Sequence, residues 1–343
     1  YALSESALAG YTNTSITCDD AAGEVTNVTV GLGETVTCTF VNDDDAASLV
    51  LAKDVVNDNG GTAVASDWTL FAGSLSVTGS EAGAEVTDVA GTYALSESSL
   101  AGYANTSITC DNSSGQVTNV TVGLGETVTC TFVNDDLAAG LFLVKDVVND
   151  HGGTAVASDW TLSAGDIDVT GSATPVLATT VAGTYALSES ALAGYTNTSI
   201  TCDNSSGHVT SVTVGLGETV TCTFVNDDDA ATIVLRKVVD GGNATQADFD
   251  AYIDQDLVAW DDVIDILPGT HTVSEVMNVS DYVAGEWGGD CAAHGSVSVE
   301  LGDELECTIT NFYAALDIVK SAEPGFYAEV GDVISYTITA TNI

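Results

Sequence analysis

The chain has 343 residues, with 50 Asp and Glu against 5 Lys and Arg, which gives a formal net charge of −45. We therefore exclude nucleic acids and anionic lipids as partners, because both are bound through clusters of Lys and Arg. The sequence has no apolar run long enough to span a membrane, while its 45% of hydrophobic residues can fill several small cores.

The sequence repeats with a period of 92 residues, since nearly identical segments begin at Tyr1, Tyr93 and Tyr185. A period of this length suits whole β-sandwich domains rather than solenoid units. Runs such as "SLVLAKDVV" and "TVTCTFVN" alternate apolar with polar residues and are bounded by Gly, Asn and Asp, which predicts strands. We predict an all-β fold of tandem Ig-like β-sandwich domains, arranged as beads on a string.

Domain boundaries are predicted after the acidic "VNDD" segments, where an apolar strand follows. The predicted domains are the C-terminal part of a truncated repeat at 1–44, complete repeats at 47–136 and 139–228, a diverged repeat at 231–312, and the start of a further β-sandwich domain at 314–343. The incomplete first and last domains suggest a segment of a longer protein.

The eight cysteines fall into four pairs, one for each repeat: Cys18/Cys38, Cys110/Cys130, Cys202/Cys222 and Cys291/Cys307. One pair per domain, without Cys-x-x-Cys spacing, predicts a disulfide in each domain and an oxidising, extracellular compartment. Zinc binding is the alternative, although the four histidines do not recur at fixed offsets from the cysteines.

The first strand of each unit carries a lysine on its apolar face. In "LVLAKDVV" the alternation of a β-strand places Lys53 on the face of the inward leucines. Lys145, Lys237 and Lys320 occupy the same place in the later units, and these four are all the lysines of the chain.

Two more polar residues share the apolar face of predicted strands in each complete unit. Glu97 of "YALSESSLAGY" lies on the face of Tyr93 and Leu95, and Asn134 of "VTCTFVN" lies on the face of Phe132. Their counterparts in the later units are Glu189 with Asn226 and Glu275 with Asn311.

A buried Lys, Glu and Asn require a chemical reason, because an unpaired buried charge costs several kcal/mol. One interpretation is a Lys–Glu salt bridge with Asn as a third hydrogen-bond partner. The other is an autocatalytic isopeptide bond. In an apolar core the pKa of lysine falls and that of glutamate rises, so a neutral amine can attack the Asn carbonyl while the acid shuttles protons. The fold supplies proximity, so no external enzyme is needed.

The strings "KDVVNDNGGTAVASDWTL", "GTYALSESSLAGY" and "VTVGLGETVTCTFVND" follow one another in this order. With them, residues 1–312 resemble the prealbumin-like (collagen-adhesin B-type, SpaA-like) repeats of bacterial surface proteins, although the usual Pro before the final Gly-Tyr is absent in "SLAGY". The resemblance implies a Lys–Asn isopeptide promoted by the Glu of the Y-x-L-x-E strand. The implied sets are Lys53/Asn134/Glu97, Lys145/Asn226/Glu189 and Lys237/Asn311/Glu275. The segment 314–343 is similar to the opening of a second β-sandwich repeat family of surface proteins.

These features predict a structural stalk or fibre at the cell surface that bears mechanical load, and not a conventional enzyme. One alternative is an adhesin whose diverged unit at 231–312 contacts a host or surface ligand. Another is a subunit of a filament assembled by strand addition. The expected partners are other copies of the chain or neighbouring surface-protein domains, with a host or surface ligand in the adhesin case.

No cofactor is expected, with one exception. Acidic runs at 42–47 and 226–231, with 55–61 nearby, offer oxygen ligands for Ca²⁺. The simpler explanation of these acidic runs is a solvated, charged linker. Asn-x-Ser/Thr sequons are candidate glycan positions: Asn13, Asn27, Asn105, Asn112, Asn119, Asn197, Asn204, Asn243 and Asn278.

Overall fold

The computed structural model describes residues 1–314, 316–323, 325 and 329–342. Part of the predicted domain at 314–343 therefore lies outside the described residues. The chain forms two compact units: the first is Tyr1–Phe142 with Leu177–Ala186 and Ser211–Thr221, and the second is Leu143–Val176, Leu187–Thr210 and Cys222–Ile343. No helix in the described ranges is long and apolar enough to cross a membrane.

Nearly all regular structure is β-strand, which confirms the predicted all-β class of tandem repeats. Residues 1–44 contribute one antiparallel strand pair, and residues 47–136 contribute eight strands and one turn of 3-10 helix. The elements are β1 (Tyr11–Cys18), β2 (Cys38–Asp44), β3 (Ser48–Val56), a 3-10 turn (Ala65–Asp67), β4 (Thr69–Ala72), β5 (Leu75–Thr78), β6 (Ala84–Thr87), β7 (Gly91–Glu97), β8 (Tyr103–Cys110), β9 (Asn119–Val122) and β10 (Thr127–Asp136).

The strands of 47–136 form two four-stranded sheets, in the orders β6-β3-β10-β8 and β5-β4-β7-β9. The first strand, β3, pairs in parallel with the last strand, β10, from Thr127↔Ser48 to Asp135↔Val56. On its other edge β10 pairs antiparallel with β8. The two terminal strands of the repeat are therefore neighbours at the centre of one sheet.

The inward faces of these sheets enclose one hydrophobic core, which includes Trp68 and the Cys130 sulfur. Alternation along β10 buries Val128, Cys130 and Phe132, while Thr129 and Thr131 between them are partly exposed. The same alternation continues to the end of β10, so that the polar residues Asn134 and Asp136 are also buried.

Residues 139–228 contain the same succession of strands. They are β11 (Gly140–Val148), a 3-10 turn (Ala157–Asp159), β12 (Thr161–Ala164), β13 (Ile167–Thr170), β14 (Val176–Thr179), β15 (Gly183–Glu189), β16 (Tyr195–Cys202), β17 (Ser211–Val214) and β18 (Thr219–Asp228). In the second unit β16 pairs antiparallel with β18, from Tyr195↔Asp228 to Cys202↔Cys222. The predicted cross-link residues of this repeat all belong to the second unit.

Residues 231–312 form the diverged repeat. Its elements are β19 (Ala231–Asp240), a 3-10 turn (Gln246–Asp248), β20 (Phe249–Ile253), β21 (Asp256–Val258), β22 (Val263–Ile266), β23 (Gly269–Met277), β24 (Tyr282–Gly289), β25 (Ser296–Val299) and β26 (Glu304–Tyr313). These strands form two sheets in the orders β22-β19-β26-β24 and β21-β20-β23-β25. Here too the first and last strands, β19 and β26, pair in parallel. The last described strands are an antiparallel pair, β27 (Leu316–Glu323) and β28 (Ser335–Asn342).

Successive repeats within each unit are joined by hydrogen-bonded linkers. In the first unit, Leu137 N–H donates to Gly102 O at 2.8 Å, and Leu137 O accepts from Gly217 N–H at 3.1 Å. Leu216 packs against Gly102, which has a φ of +82° and where a Cβ would approach Leu216 Cβ to 2.8 Å. This position therefore requires glycine. The same pair of backbone hydrogen bonds recurs in the second unit at Asp229.

Candidate cross-linking site

Lys53 is brought into the core by the alternation of β3, and its side chain is 0% exposed. Its Nζ donates to Asp54 O at 2.9 Å and to Phe132 O at 3.3 Å. It also lies 4.6 Å from the ring centroid of Trp68, a distance that suits a cation–π contact. Because Phe132 belongs to β10, the lysine spans the parallel pair of terminal strands.

Glu97 ends β7 in the opposite sheet and points into the same core as Leu95. Its side chain is 9% exposed, and its Oε2 lies 3.8 Å from Lys53 Nζ. Asn134 of β10 is 3% exposed. The three residues predicted from the sequence thus reach one cluster from three different strands.

A fourth residue, Asn105 on β8, connects this cluster and was missed by the sequence analysis. Its Nδ2 donates to Glu97 Oε1 at 3.0 Å and to Asn134 Oδ1 at 3.1 Å. The side chain lies on the solvent side of the cluster. Its Nδ2, the atom that a glycan would use, is occupied by two acceptors.

The repeat at 139–228 holds the same four residues in a tighter arrangement. Lys145 Nζ donates to Asn226 Oδ1 at 2.6 Å and lies 3.2 Å from Glu189 Oε2. Since a C=O bond measures about 1.2 Å, the distance from Nζ to the Asn226 carbonyl carbon is at most about 3.8 Å. Asn197 Nδ2 donates to Glu189 Oε1 at 3.0 Å and to Asn226 Oδ1 at 3.1 Å. The amine is therefore close to the atom that it would attack.

The diverged repeat at 231–312 keeps three of the four residues. Lys237 Nζ lies 2.5 Å from Glu275 Oε2 and 4.2 Å from the ring centroid of Phe249. Asn311 is 0% exposed, and neither of its side-chain polar atoms has a hydrogen-bond partner among the described residues. The residue that faces Asn311 on β24 is Ala284, whose side chain has no hydrogen-bond donor.

Residues 1–44 contain the acidic and amide part of the same cluster. Asn13 Nδ2 donates to Glu5 Oε1 at 2.8 Å and to Asn42 Oδ1 at 3.1 Å. The Glu–Asn–Asn arrangement therefore occurs in three segments of the chain. It accompanies the "YxNTSITC" sequence each time.

Burial lowers the pKa of Lys53, Lys145 and Lys237 below the ordinary lysine value, because the charged form loses its hydration. The negative charge of the facing glutamate opposes this shift without cancelling it. A lowered pKa makes the neutral amine, which is the nucleophilic form, more accessible.

All eight cysteines form disulfides in the predicted pairs, with S–S distances of 1.99–2.05 Å. The zinc alternative is therefore wrong, because none of these cysteines is free to bind a metal. In the two complete repeats the bridges tie β8 to β10 and β16 to β18, next to the cluster. The bridged pairs are Cys18–Cys38, Cys110–Cys130, Cys202–Cys222 and Cys291–Cys307.

The bridge of the diverged repeat joins the predicted pair but is placed differently from the bridges of the complete repeats. In the complete repeats the two cysteines face each other in register, whereas Cys307 on β26 lies opposite Gly289. Gly289 has a φ of +76°, and a Cβ there would collide with the backbone of β26, so no cysteine fits at that position. Cys307 is instead bridged to Cys291 in the loop after β24, with a Cα–Cα distance of 5.2 Å. Cys307 is 0% exposed and belongs to the core. Its sulfur therefore packs inside the repeat, and the bridge ties the loop after β24 to β26.

A buried carboxylate lies two residues after the asparagine predicted to be cross-linked in both complete repeats. Asp228 is 2% exposed and accepts hydrogen bonds from the backbone N–H groups of Asp150, His151 and Gly153. Asp136 makes the equivalent contacts in 47–136. This aspartate anchors the loop after the first strand, and the sequence already contained the signal, since it continues the inward alternation by one step.

These aspartates also belong to the described acidic groups that are compact enough to hold a metal ion, Asp58/Asp135/Asp136 and Asp150/His151/Asp227/Asp228. The oxygens of the buried aspartate already accept backbone N–H groups in both loops. Calcium binding at these acidic segments stays a prediction.

The family whose model describes a prealbumin-like fold domain matches residues 1–40, 44–132 and 136–224. The chain is similar to the solved structure of the Bacillus anthracis TIE protein, with 17% identity and a TM-score of 0.47 over 82% of this chain and 53% of that one. It is also similar to the B1B2 repeats of the collagen binding protein of Staphylococcus aureus (13% identity, TM-score 0.25, 90% and 81% covered). A third similar structure is the pilus adhesin SpaC from Lactobacillus rhamnosus GG (11% identity, TM-score 0.25, 82% and 46% covered). The chain spans about half the length of the first structure, and no curated protein matches it.

Proposed function

The chain belongs to the family of prealbumin-like fold domains, and we propose that it is a load-bearing segment of an extracellular stalk or fibre on a cell surface. In this proposal each complete repeat is closed by an isopeptide bond between its first-strand lysine and its last-strand asparagine. The observation that carries the proposal is the meeting of Lys145, Glu189 and Asn226 inside the core, with 2.6 Å between the amine and the carbonyl oxygen.

The chemistry that we propose is intramolecular. A proton passes from Lys145 Nζ to the carboxylate of Glu189, which leaves a neutral amine beside a protonated acid. The amine attacks the Asn226 carbonyl carbon, and the Nζ–Cγ bond forms as the carbonyl electrons move to Oδ1. When the carbonyl re-forms, the Cγ–Nδ2 bond breaks and ammonia leaves with a proton delivered by Glu189. The carboxylate of Glu189 then takes the second proton from Nζ, which leaves a neutral secondary amide. The net reaction converts an amine and a primary amide into a secondary amide and ammonia.

The pairing of the terminal strands gives such a bond its mechanical value. In 47–136 the chain enters at Ser48, the start of β3, and leaves at Asp136, the end of the neighbouring parallel strand β10. Tension on these ends therefore shears the two strands past each other. A covalent link from Lys53 to Asn134 would carry the force directly from one strand to the other. The segment of chain between Lys53 and Asn134 would then bear no force.

The composition supports an extracellular place for this work. A disulfide in each repeat is stable in an oxidising compartment. A net charge of −45 keeps repeated beads apart and soluble, and needs the screening that an ion-rich exterior provides. Neighbouring surface-protein domains and other copies of the chain are the partners that we propose.

The adhesin alternative has one observation in its favour. The diverged repeat has a groove lined by Phe249, Leu257 and Trp260, in which a surface or host ligand could be held. The filament alternative would use the edge of β2, where the complete repeats hold their first strand. Both alternatives are compatible with cross-linked repeats. They differ from the stalk proposal in the partner that the chain contacts, which is a ligand in the first and another copy of the chain in the second.

The test is the mass of the intact, reduced protein together with its tryptic peptides. Each isopeptide lowers the mass by about 17 Da, the mass of ammonia, which the sequence alone does not predict. We expect a deficit and a cross-linked Lys145–Asn226 peptide. A mass equal to that of the sequence, with both peptides recovered separately, would overturn the proposal and leave a buried polar network stabilised by disulfides and packing.

A further inference from the structure

We propose that Asn105 and Asn197 are catalytic hydrogen-bond donors in the cross-linking reaction, each holding the carbonyl oxygen that becomes negative while the bond forms. This inference rests on the proposed function, because it assigns a role within the same reaction. It adds a fourth participant to the lysine, glutamate and asparagine of the sequence analysis.

The position of Asn105 depends on a β-bulge. Alternation from Cys110 through Ile108 would point Thr106 toward the core and Asn105 toward solvent. The pairing with β10 instead passes over Thr106, from Val133↔Ser107 to Asn134↔Asn105. The extra residue reverses the alternation and re-aims Asn105 at the cluster. The same irregularity occurs between Asn197 and Ser199 in the second unit.

The contacts of the re-aimed amide match the needs of the reaction. One hydrogen of Asn197 Nδ2 is donated to Asn226 Oδ1, the oxygen that gains charge when Lys145 attacks. The other is donated to Glu189 Oε1, which leaves Oε2 of the same carboxylate facing Nζ at 3.2 Å. The amide therefore polarises the electrophile and orients the proton carrier. A preorganised donor of this kind typically changes a rate by about 10²–10³-fold.

The diverged repeat is a natural variant that lacks the donor. Ala284 occupies the position opposite Asn311, and the carboxamide of Asn311 has no hydrogen-bond partner in the described part of the chain. Lys237 is instead directed to Glu275. We therefore expect the bond of 231–312 to form more slowly than those of the two preceding repeats.

The experiment follows bond formation in the full-length chain. The protein is synthesised in a cell-free system under oxidising conditions, stopped at successive times in acidic denaturant, and digested. Mass spectrometry then quantifies the cross-linked peptide of each repeat. The variants are Asn197→Ala, Asn197→Leu, which has a similar volume and no N–H, and Ala284→Asn. Thr198→Ala is the matched control, because the Thr198 hydroxyl donates to the backbone oxygen of Val225 on the exposed side of the bulge.

We expect both Asn197 variants to slow the cross-link of 139–228 by about 10²-fold or more. The cross-link of 47–136 in the same molecules should keep its rate, and Thr198→Ala should change neither. Ala284→Asn should accelerate the bond of 231–312. The rate is counted only in chains whose Cys202–Cys222 disulfide has formed, so that a loss of folding is not mistaken for a loss of catalysis.

Three results would overturn the inference. If the wild-type repeat is cross-linked and the Asn197 variants react at the same rate, the donor role is wrong while the isopeptide proposal stands. An unchanged rate in Ala284→Asn would also contradict it, independently of how the Asn197 variants fold. If no repeat of the wild-type chain yields a cross-linked peptide, the proposed function and this inference both fail.

Discussion

Removing the cross-link acceptor of one repeat should turn an inextensible domain into an extensible one. Asn226→Ala in the full-length chain deletes the carboxamide that Lys145 would attack, while β18 and the Cys202–Cys222 bridge stay in place. If force is carried by an isopeptide, this substitution redirects it through the hydrogen bonds and packing of the repeat, which then unfolds under tension.

The length released follows from the positions of the two residues. Lys145 and Asn226 are 81 residues apart, which corresponds to about 280 Å of extended chain at about 3.4 Å per residue. The Cys202–Cys222 bridge lies inside this segment and spans 20 residues. With the disulfide intact, the release between Lys145 and Asn226 should therefore fall to about 210 Å.

Single-molecule pulling from the two ends of the chain measures this length. The wild-type protein should show no step from the Lys145–Asn226 segment, with or without reductant, because the disulfide lies inside the loop that the isopeptide would protect. Asn226→Ala should add one step of about 210 Å, which lengthens to about 280 Å in reductant. Lys145→Met should give the same step, since it removes the other half of the bond.

The reasoning is refuted if the wild-type protein already releases this segment. A step of about 210 Å for every complete repeat before any substitution would mean that the terminal strands are held without a covalent link. An Asn226→Ala variant that adds no step to the wild-type trace would also refute it. Thr198→Ala serves as the control, and its trace should match that of the wild type.

Three further results are expected. Replacing Cys202 and Cys222 together by Ala, in a chain that lacks the isopeptide, should lower the free energy of unfolding by about 3 kcal/mol in a denaturant titration, given the 20-residue separation; an unchanged midpoint would contradict this. Asp228→Ala should cost about 2 kcal/mol. Burial alone would raise the pKa of Asp228, but backbone N–H donors hold it below its ordinary value, so its contribution is complete above about pH 4 and is lost as the pH falls through the lower folded-state pKa. If the substitution leaves the free energy of unfolding unchanged, or if the contribution of Asp228 is lost near neutral pH, this aspartate does not anchor the loop. Gly102→Ala should loosen the linker, because its Cβ would meet the leucine of the next repeat. Hydrogen exchange at the Leu137 amide should then be faster, and equal protection would rule out this packing.

The sequence could predict most of the candidate site because the site lies on regular strands. A side-chain period of two places Lys53, Glu97 and Asn134 on inward faces without any knowledge of the pairing partners. The parallel neighbourhood of β3 and β10 was not available from this pattern, since strand order depends on contacts far apart in the chain. This parallel pairing explains why a lysine and an asparagine that are about eighty positions apart in the sequence share one cluster.

Asn105 marks the limit of this reasoning. Its assignment required the bulge at Thr106, which reverses the alternation between Ile108 and Tyr103. No local pattern distinguishes that bulge from a regular strand, so the sequence presented Asn105 only as a sequon. Asp136 is different, because the alternation that identified Asn134 already pointed to it.

The three repeats with a lysine form a series in which one residue changes while the reacting groups are kept. Lysine, glutamate and asparagine are present in all three, but the amide donor is Asn105 in the first, Asn197 in the second and absent at Ala284 in the third. If proximity alone controlled the reaction, the three repeats would cross-link at similar rates. If stabilisation of the developing charge on the carbonyl oxygen also matters, the third repeat should react last. The order of bond formation within a single molecule therefore separates the two contributions, because all three repeats experience the same solvent, temperature and time.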